Sequence, residues 1–288
     1  MSHVPVPQTK TTLNLRPLTP STPTATTTPK LYRSANPSGS PDSLAHLLSD
    51  PSKLRISTVI DLRGKAELSR DTQGKVFRNC FTNETDSLSI LNGYGPARRL
   101  FHLDFSRKMT LEALKTVSWI DLLWCFGLLL LCRFHEAKKH AIEKSFLGRE
   151  NGLAVFYQKV LQVHGKNIRK VFEILAHENA YPVLIHCSAG KDRTGICFAL
   201  VHRLIGTSDA EILRDYMQSN EELKSMRGLL VKEVAGVGLR VDEFVDVNEV
   251  ALVEMLAWID EKGGVEAYLE SIGVSKEVQA RVRHNLLK

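Results

Sequence analysis

The sequence predicts an α/β sandwich in which a mainly parallel central sheet is flanked by helices. Two observations predict it. Short, dense apolar runs occur at Arg55–Leu62, Leu100–Phe105 and Tyr181–Ile185, each about the length of a buried strand. Between and after them lie stretches with helical patterning, including the amphipathic Asn167–Asn179. Alternation of the two kinds places helices on the faces of a mainly parallel sheet.

In chain order, Leu31–Ser34 begins the fold and Pro41-Asp42 opens a helix that runs through Leu48. Arg55–Leu62 is a strand with a dense apolar centre. Residues 64–98, rich in polar residues and glycine, read as an irregular arm near the site described below. Leu100–Phe105 is a second core strand, interrupted by His102, and residues 110–176 read as mainly helical. Within them Trp119–Cys132 is strongly apolar, with Asp121 near its start, and Arg133 and Lys138-Lys139-His140 follow. It is shorter than the ~20 residues a membrane span requires. The expectation is therefore a buried core helix, and the alternative is a helical lid insertion over 110–150 or an interfacial helix.

Tyr181–Ile185 is a strand, and Ile196–Ile205 is the helix after it. Ser208 and Glu211 form a capping box that opens the helix Asp209–Gln218. Residues 221–247, with Gly228, Gly236 and Gly238, read as a looser connection. Asn248–Glu261 is a helix stopped by Gly263-Gly264, and Val265–Ser271 and Lys276–Leu287 are two short closing helices.

Hydrophobic residues make up 43% of the 288, ample for a core. The net charge of +6 suits anionic substrates but is too mild to point to nucleic acid. The five cysteines have no metal-like spacing, and their odd number favours free thiols, a reducing compartment and a cytoplasmic location. Residues 1–30 contain nine Thr and six Pro and no acidic residue, and they read as a disordered tail without a secretory signal. The domain is expected over 31–288.

The chemistry concentrates in His186-Cys187-Ser188-Ala189-Gly190-Lys191-Asp192-Arg193-Thr194-Gly195, between a strand and a helix. Such a turn aims backbone N–H groups at one point, and the helix N-terminus adds positive potential there, which suits a tetrahedral dianion. Residues 188–194 line this cradle, and Cys187 lies at its base, where the thiolate form is favoured for nucleophilic attack at phosphorus. Arg193 offers a planar fork for two phosphoryl oxygens. Thr194 brings a hydroxyl beside the sulfur, and His186 orients the loop. Gly190 and Gly195 permit close approach.

This segment resembles the signature of the cysteine-dependent phosphatases: His-Cys, five residues, Arg, then Ser or Thr. Its longer form, His-Cys-x-Ala-Gly-Lys-Asp-Arg-Thr-Gly, is similar to the tyrosine/serine phosphatase family of bacteria and fungi. Leu31-Tyr32-Arg33-Ser34-Ala35 and Thr58-Val59-Ile60-Asp61-Leu62-Arg63, followed by Glu67, resemble two further segments of that family. The family's Asn-Phe-Arg-Asp opening is reduced here to Asn14-Leu15-Arg16-Pro17. The resemblance implies a protein-tyrosine-phosphatase-like sandwich, a phosphocysteine intermediate, and no cofactor or metal. It implies phosphoprotein or phosphoinositide substrates, and Lys191 suits a polyanionic head group.

Members of the family carry an Asp at the loop position of Asp192, and this chain has no Asp between Asp121 and Asp192. Asp192 is therefore assigned as general acid, with Asp104 as runner-up. The competing readings are a phosphoinositide phosphatase and a non-catalytic phosphate-binding module. The sequence leaves the oligomeric state open.

Overall fold

In the computed structural model, which describes residues 12–19, 29–37, 41–44, 47–48, 54–72, 74–84 and 98–288, a six-stranded sheet carries the chain. Its strands are β1 (Arg16–Pro17), β2 (Leu31–Ser34), β3 (Thr58–Asp61), β4 (Thr82–Glu84), β5 (Arg99–His102) and β6 (Val183–His186), in the order β1-β2-β6-β3-β5-β4. Only the β1–β2 pairing is antiparallel. The sheet and its helical layers are the α/β sandwich that the apolar runs predict.

The period of two along each strand sorts side chains onto two cores. Leu31, Ile60, Phe101, Val183 and Ile185 face the larger one, whereas Tyr32, Val59, Leu100 and Leu184 face the smaller one with Leu47 and Phe77. Covering both faces explains why these strands read as continuous apolar runs rather than alternating ones. Full burial of one such aliphatic side chain is worth roughly 1.5–3 kcal/mol.

The helices follow in order. α1 (Pro41–Leu44), α2 (Lys65–Arg70) and α3 (Gly74–Arg78) precede β4, and α4 (Arg107–Leu114), α5 (Trp119–Leu130), α6 (Phe134–Lys144), α7 (Gly152–Val163) and α8 (Gly165–Leu175) separate β5 from β6. After β6 come α9 (Asp192–Leu204), α10 (Asp209–Glu222), α11 (Arg227–Gly236), α12 (Val241–Phe244), α13 (Glu249–Glu261), α14 (Gly264–Ser271) and α15 (Lys276–Leu287). Ser208 and Glu211 form the expected capping box of α10, and Asn248 accepts from two backbone N–H groups at the start of α13.

Four expectations are corrected. Residues 12–19 belong to the fold rather than to a tail: Thr12, Asn14, Arg16 and Leu18 are buried, and β1 extends the sheet beyond β2. The Thr/Pro composition conceals this because two residues of strand leave no periodic signal; residues 1–11 and 20–28 lie outside the described residues. The described part of the arm expected at 64–98 contains α2, α3 and β4, tied down by Arg63 and Arg78 on Asp71, and residues 73 and 85–97 lie outside the described residues. The looser connection expected at 221–247 contains α11 and α12, since Gly228 and Gly236 are accommodated within helical backbone.

Finally, α5 is not a core helix. Only Cys125 and Leu128 are buried within it, against Ala137 and Ala141 of α6, and its other large apolar side chains face outward. Its apolar composition is compatible with burial, but among the described residues α6 is the only helix against which it packs extensively.

Candidate active site

The parallel register sets Ser34 of β2, His186 of β6 and Asp61 of β3 side by side at the carboxyl end of the sheet. Open α/β sheets bind their ligands at this end. β6 runs out at His186, and the chain turns through 187–191 into α9. The helix begins at Asp192, earlier than the sequence suggested, so Asp192, Arg193 and Thr194 form its first turn with their N–H groups free of intrahelical partners.

The loop carbonyls are held from outside. Asn14 Nδ2 donates to Ala189 O and Gly190 O at 3.0 Å each, and Arg33 Nη2 donates to Gly190 O at 2.8 Å. Arg33 is itself fixed by Asp215 at 2.6 Å and lies over the Phe198 ring. With these carbonyls so occupied, the Gly190 N–H donates to Cys187 Sγ at 3.2 Å. Gly190 adopts φ 69°, and a Cβ there would meet Ser34 O at 2.1 Å, so only glycine fits. Cys187 is buried in this cradle. Burial, with the Cys187 charge adding to it, pushes the nearby Cys197 thiol up to about 12, which keeps that sulfur protonated.

Arg193 is aimed by a carboxylate. Its Nη1 and Nη2 donate to Glu67 Oε2 and Oε1 at 2.7 Å each, the parallel fork geometry of a strong pair. Nη1 also reaches Ser106 Oγ at 3.1 Å, and Nη2 lies 3.5 Å from Ser188 Oγ on the loop. Glu67 in turn accepts from Gly64 N, Ser106 Oγ and Ser188 Oγ. Burial works against the Glu67 charge, but the Arg193 bonds outweigh it and hold the carboxyl well below the usual range. Burial likewise opposes the Arg193 charge, and the negative charges of Cys187 and Glu67 more than compensate, raising its pKa.

Asp192 is held by a chain of donors. Asn248 N–H donates to Tyr216 Oη, Tyr216 meets Tyr157 Oη at 2.6 Å, and Tyr157 donates to Asp192 Oδ1 at 2.8 Å. Burial and the Asp192 charge keep the Tyr157 hydroxyl protonated, with a pKa far above its usual value. Lys191, expected to line the cradle and suit a polyanionic head group, points elsewhere. It is buried, and its ammonium donates to Phe244 O at 2.9 Å and to Asp192 at 3.2 Å, so its charge is spent inside the protein.

Thr194 Oγ1 is fully buried without a hydrogen-bond partner among the described residues, a hydroxyl on the first turn of α9. His186 is also fully buried, with Nδ1 3.2 Å from Cys187 O, and burial lowers its pKa so that the ring is neutral. Asp104 Oδ1 accepts from Ser106 N and Arg107 N, capping the start of α4 rather than standing in the loop.

A cleft of about 880 Å³ opens over Ser188 and Ala189, walled by Glu67 and Arg70 on one side, Leu230 of α11 on another, and His135 of α6. Among the described residues no group of three His, Cys, Asp or Glu side chains is placed to hold a metal ion. The sequence pattern singles out the loop but not the roles of Glu67, Asn14, Arg33, Ser106, Tyr157 and Tyr216. Glu67 and Arg33 lie in quoted motifs and Asn14 in the reduced opening; nothing local connects Tyr157 to Asp192.

The chain spans about half the length of the relatives it matches. Over 121 residues it is 33% identical to the triple specificity protein phosphatase PtpB of Mycobacterium tuberculosis, covering 37% of this chain and 44% of that protein. Over 149 residues it is 30% identical to a tyrosine-protein phosphatase of Nostoc commune, covering 49% of this chain and 51% of that one. The sequence pattern of the tyrosine phosphatase family matches residues 7–288, which takes in the loop, the Glu67 arm and the Asn14–Arg16 clamp alike. The loop that cradles Cys187 beneath Arg193 thus has its counterpart in a whole-chain match, and the chain belongs to the tyrosine phosphatase family.

Proposed function

We propose that the protein hydrolyses phosphomonoesters through a phosphocysteine intermediate, with phosphotyrosine in proteins as the main substrate and phosphoserine or phosphothreonine as further ones. One observation carries the reading. Cys187 Sγ accepts from the Gly190 N–H of its own loop, while Glu67 holds both arms of the Arg193 guanidinium beside Ser188 of that loop. A binding module needs no such sulfur.

In the first step the Cys187 thiolate attacks phosphorus, the S–P bond forms and the bond to the ester oxygen breaks. Asp192, oriented by Tyr157 and Lys191, gives its proton to the departing oxygen. The amides and Arg193 take up charge on the equatorial oxygens. In the second step water attacks phosphorus, Asp192 accepts a proton from it, and the S–P bond breaks to return phosphate and the thiolate. In this reading the buried Thr194 hydroxyl, which makes no hydrogen bond among the described residues, turns to the sulfur and stabilises that thiolate as it leaves.

The free thiols of all five cysteines support a reducing, cytoplasmic setting. A phosphoinositide substrate is the second reading. Arg70 and Lys232, rather than the buried Lys191, line the cleft and would supply charge for a second phosphate.

The test is turnover of a phosphotyrosine peptide by wild-type protein and by Cys187→Ser, with binding of orthovanadate or phosphate measured in parallel. Turnover is lost and anion binding retained in the variant. Steady hydrolysis by Cys187→Ser at a rate near wild type would falsify the mechanism.

A further inference from the structure

We infer that α5 and α6 form a docking surface for an anionic lipid bilayer, which sets the mouth of the cleft over Ser188 and Ala189 against the headgroup plane. The docking goes beyond the phosphatase reading and does not depend on it.

The first observation is uncovered apolar surface. Trp119 is 71% exposed, Leu123 59%, Trp124 62%, Phe126 58%, Leu130 69% and Phe134 63%. Aromatic side chains of this kind cover about 150–250 Å² each, so the four rings alone expose on the order of 500 Å². That already equals the largest patch of an ordinary soluble monomer, about 300–600 Å², before the leucines are added. Gly127, on the same helix, has nothing within 4 Å of where its Cβ would lie.

The second observation is shape. The twelve residues of α5 span about 18 Å at 1.5 Å per residue, well short of the ~30 Å hydrocarbon thickness. The preceding α4 meets it at 119°, and no single helix among the described residues is long and apolar enough to cross a membrane. A short apolar helix bent back on its neighbour lies along an interface rather than through it. Trp119, Trp124 and Phe134 supply the rings that settle at headgroup level.

The third observation is charge. Over α5 and α6, residues 119–144, four Lys or Arg stand against three Asp or Glu. Lys138 stands one turn from Phe134 on the same helix, and both are exposed. This excess complements an anionic leaflet. A two-fold pairing of the face with a second copy would instead bring the same cations together. Position completes the argument: His135, next to Phe134, lines the cleft over Ser188. A bilayer under Phe134 therefore lies beside the cleft mouth.

The experiment is co-sedimentation of the full chain with phosphatidylcholine vesicles, with and without phosphatidylserine, together with tryptophan emission. Binding to the mixed vesicles with a blue shift is expected, about tenfold or more weaker on phosphatidylcholine alone, and weaker at high salt. Trp119→Ser/Trp124→Ser lowers binding about tenfold or more. Lys138→Glu/Lys139→Glu lowers it on mixed vesicles only. Both double variants hydrolyse soluble para-nitrophenyl phosphate as wild type does, since none of these residues touches the loop.

Absence of binding to mixed vesicles overturns the docking, as does binding that neither double variant weakens. Self-association in analytical ultracentrifugation that the tryptophan variant abolishes, without vesicle binding, assigns the face to a second copy and also overturns it. A wild-type chain inert toward para-nitrophenyl phosphate removes the phosphatase reading while leaving the vesicle result standing.

Discussion

Glu67 gives the sharpest test of how the site works, because its two strongest bonds aim Arg193. Two parallel bonds of 2.7 Å fix the guanidinium. A hydrogen bond to a charged group is worth about 1.5–3 kcal/mol net, and about 1.4 kcal/mol is a tenfold change in rate. Glu67→Gln keeps one acceptor oxygen and loses the charge, so kcat/KM falls about tenfold or somewhat more. Glu67→Ala loses both arms and falls about 10²-fold or more. Stability moves little by comparison. The Glu67 side chain is 32% exposed, so the solvent-screened pair contributes about 1 kcal/mol, or about 2–4 °C in melting temperature. The assay is steady-state hydrolysis of para-nitrophenyl phosphate and a phosphotyrosine peptide, with thermal melts of the same preparations. The reasoning is refuted if Glu67→Ala keeps kcat/KM within about threefold of wild type, or if its activity loss is recovered simply by assaying well below its melting temperature.

Three further outcomes follow from the same geometry. Arg193→Lys keeps the charge but loses the fork to Glu67, and turnover falls on the order of 10²-fold or more; a loss of only a few-fold in the same assay shows that Arg193 does not hold the phosphoryl group. Asp192→Asn slows aryl phosphates with poor leaving groups much more than those with good ones, read from the slope of log kcat against leaving-group pKa; if Asp104→Asn steepens that slope and Asp192→Asn does not, the proton comes from the α4 cap. His202, buried against Thr207 and Phe198, has its pKa pushed by burial from 6.5 to about 4. The unfolded chain therefore binds a proton that the folded one refuses, and stability present above pH 6.5 is lost as pH falls towards about 4. At 1.4 kcal/mol per unit that loss is about 3 kcal/mol. Urea midpoints between pH 7 and 4 should decline more shallowly for His202→Gln, and parallel curves contradict the assignment.

The strands and the turn from His186 into α9 were legible in the sequence because their signals are local. Val59-Ile60 and Val183-Leu184-Ile185 are short and apolar because both sheet faces are covered. The spacing of Cys187, Gly190 and Arg193 is set by one turn of backbone, which any chain carrying those residues between a strand and a helix must follow. The capping box at Ser208 and Glu211 is local in the same way.

What tertiary structure alone decided is which distant groups complete the site and which apolar surface is covered. Asn14 and Glu67 reach the loop across 176 and 121 residues of sequence, and such contacts leave no periodic trace at either end. Lys191 could be assigned to solvent or to a ligand from its position in the motif, but Phe244 O and Asp192 draw its ammonium inward. Composition makes α5 look like core, because hydropathy records what a helix would bury and not whether a neighbour is there to bury it. That depends on the packing of α4 to α7, which leaves Trp119 and Trp124 facing outward.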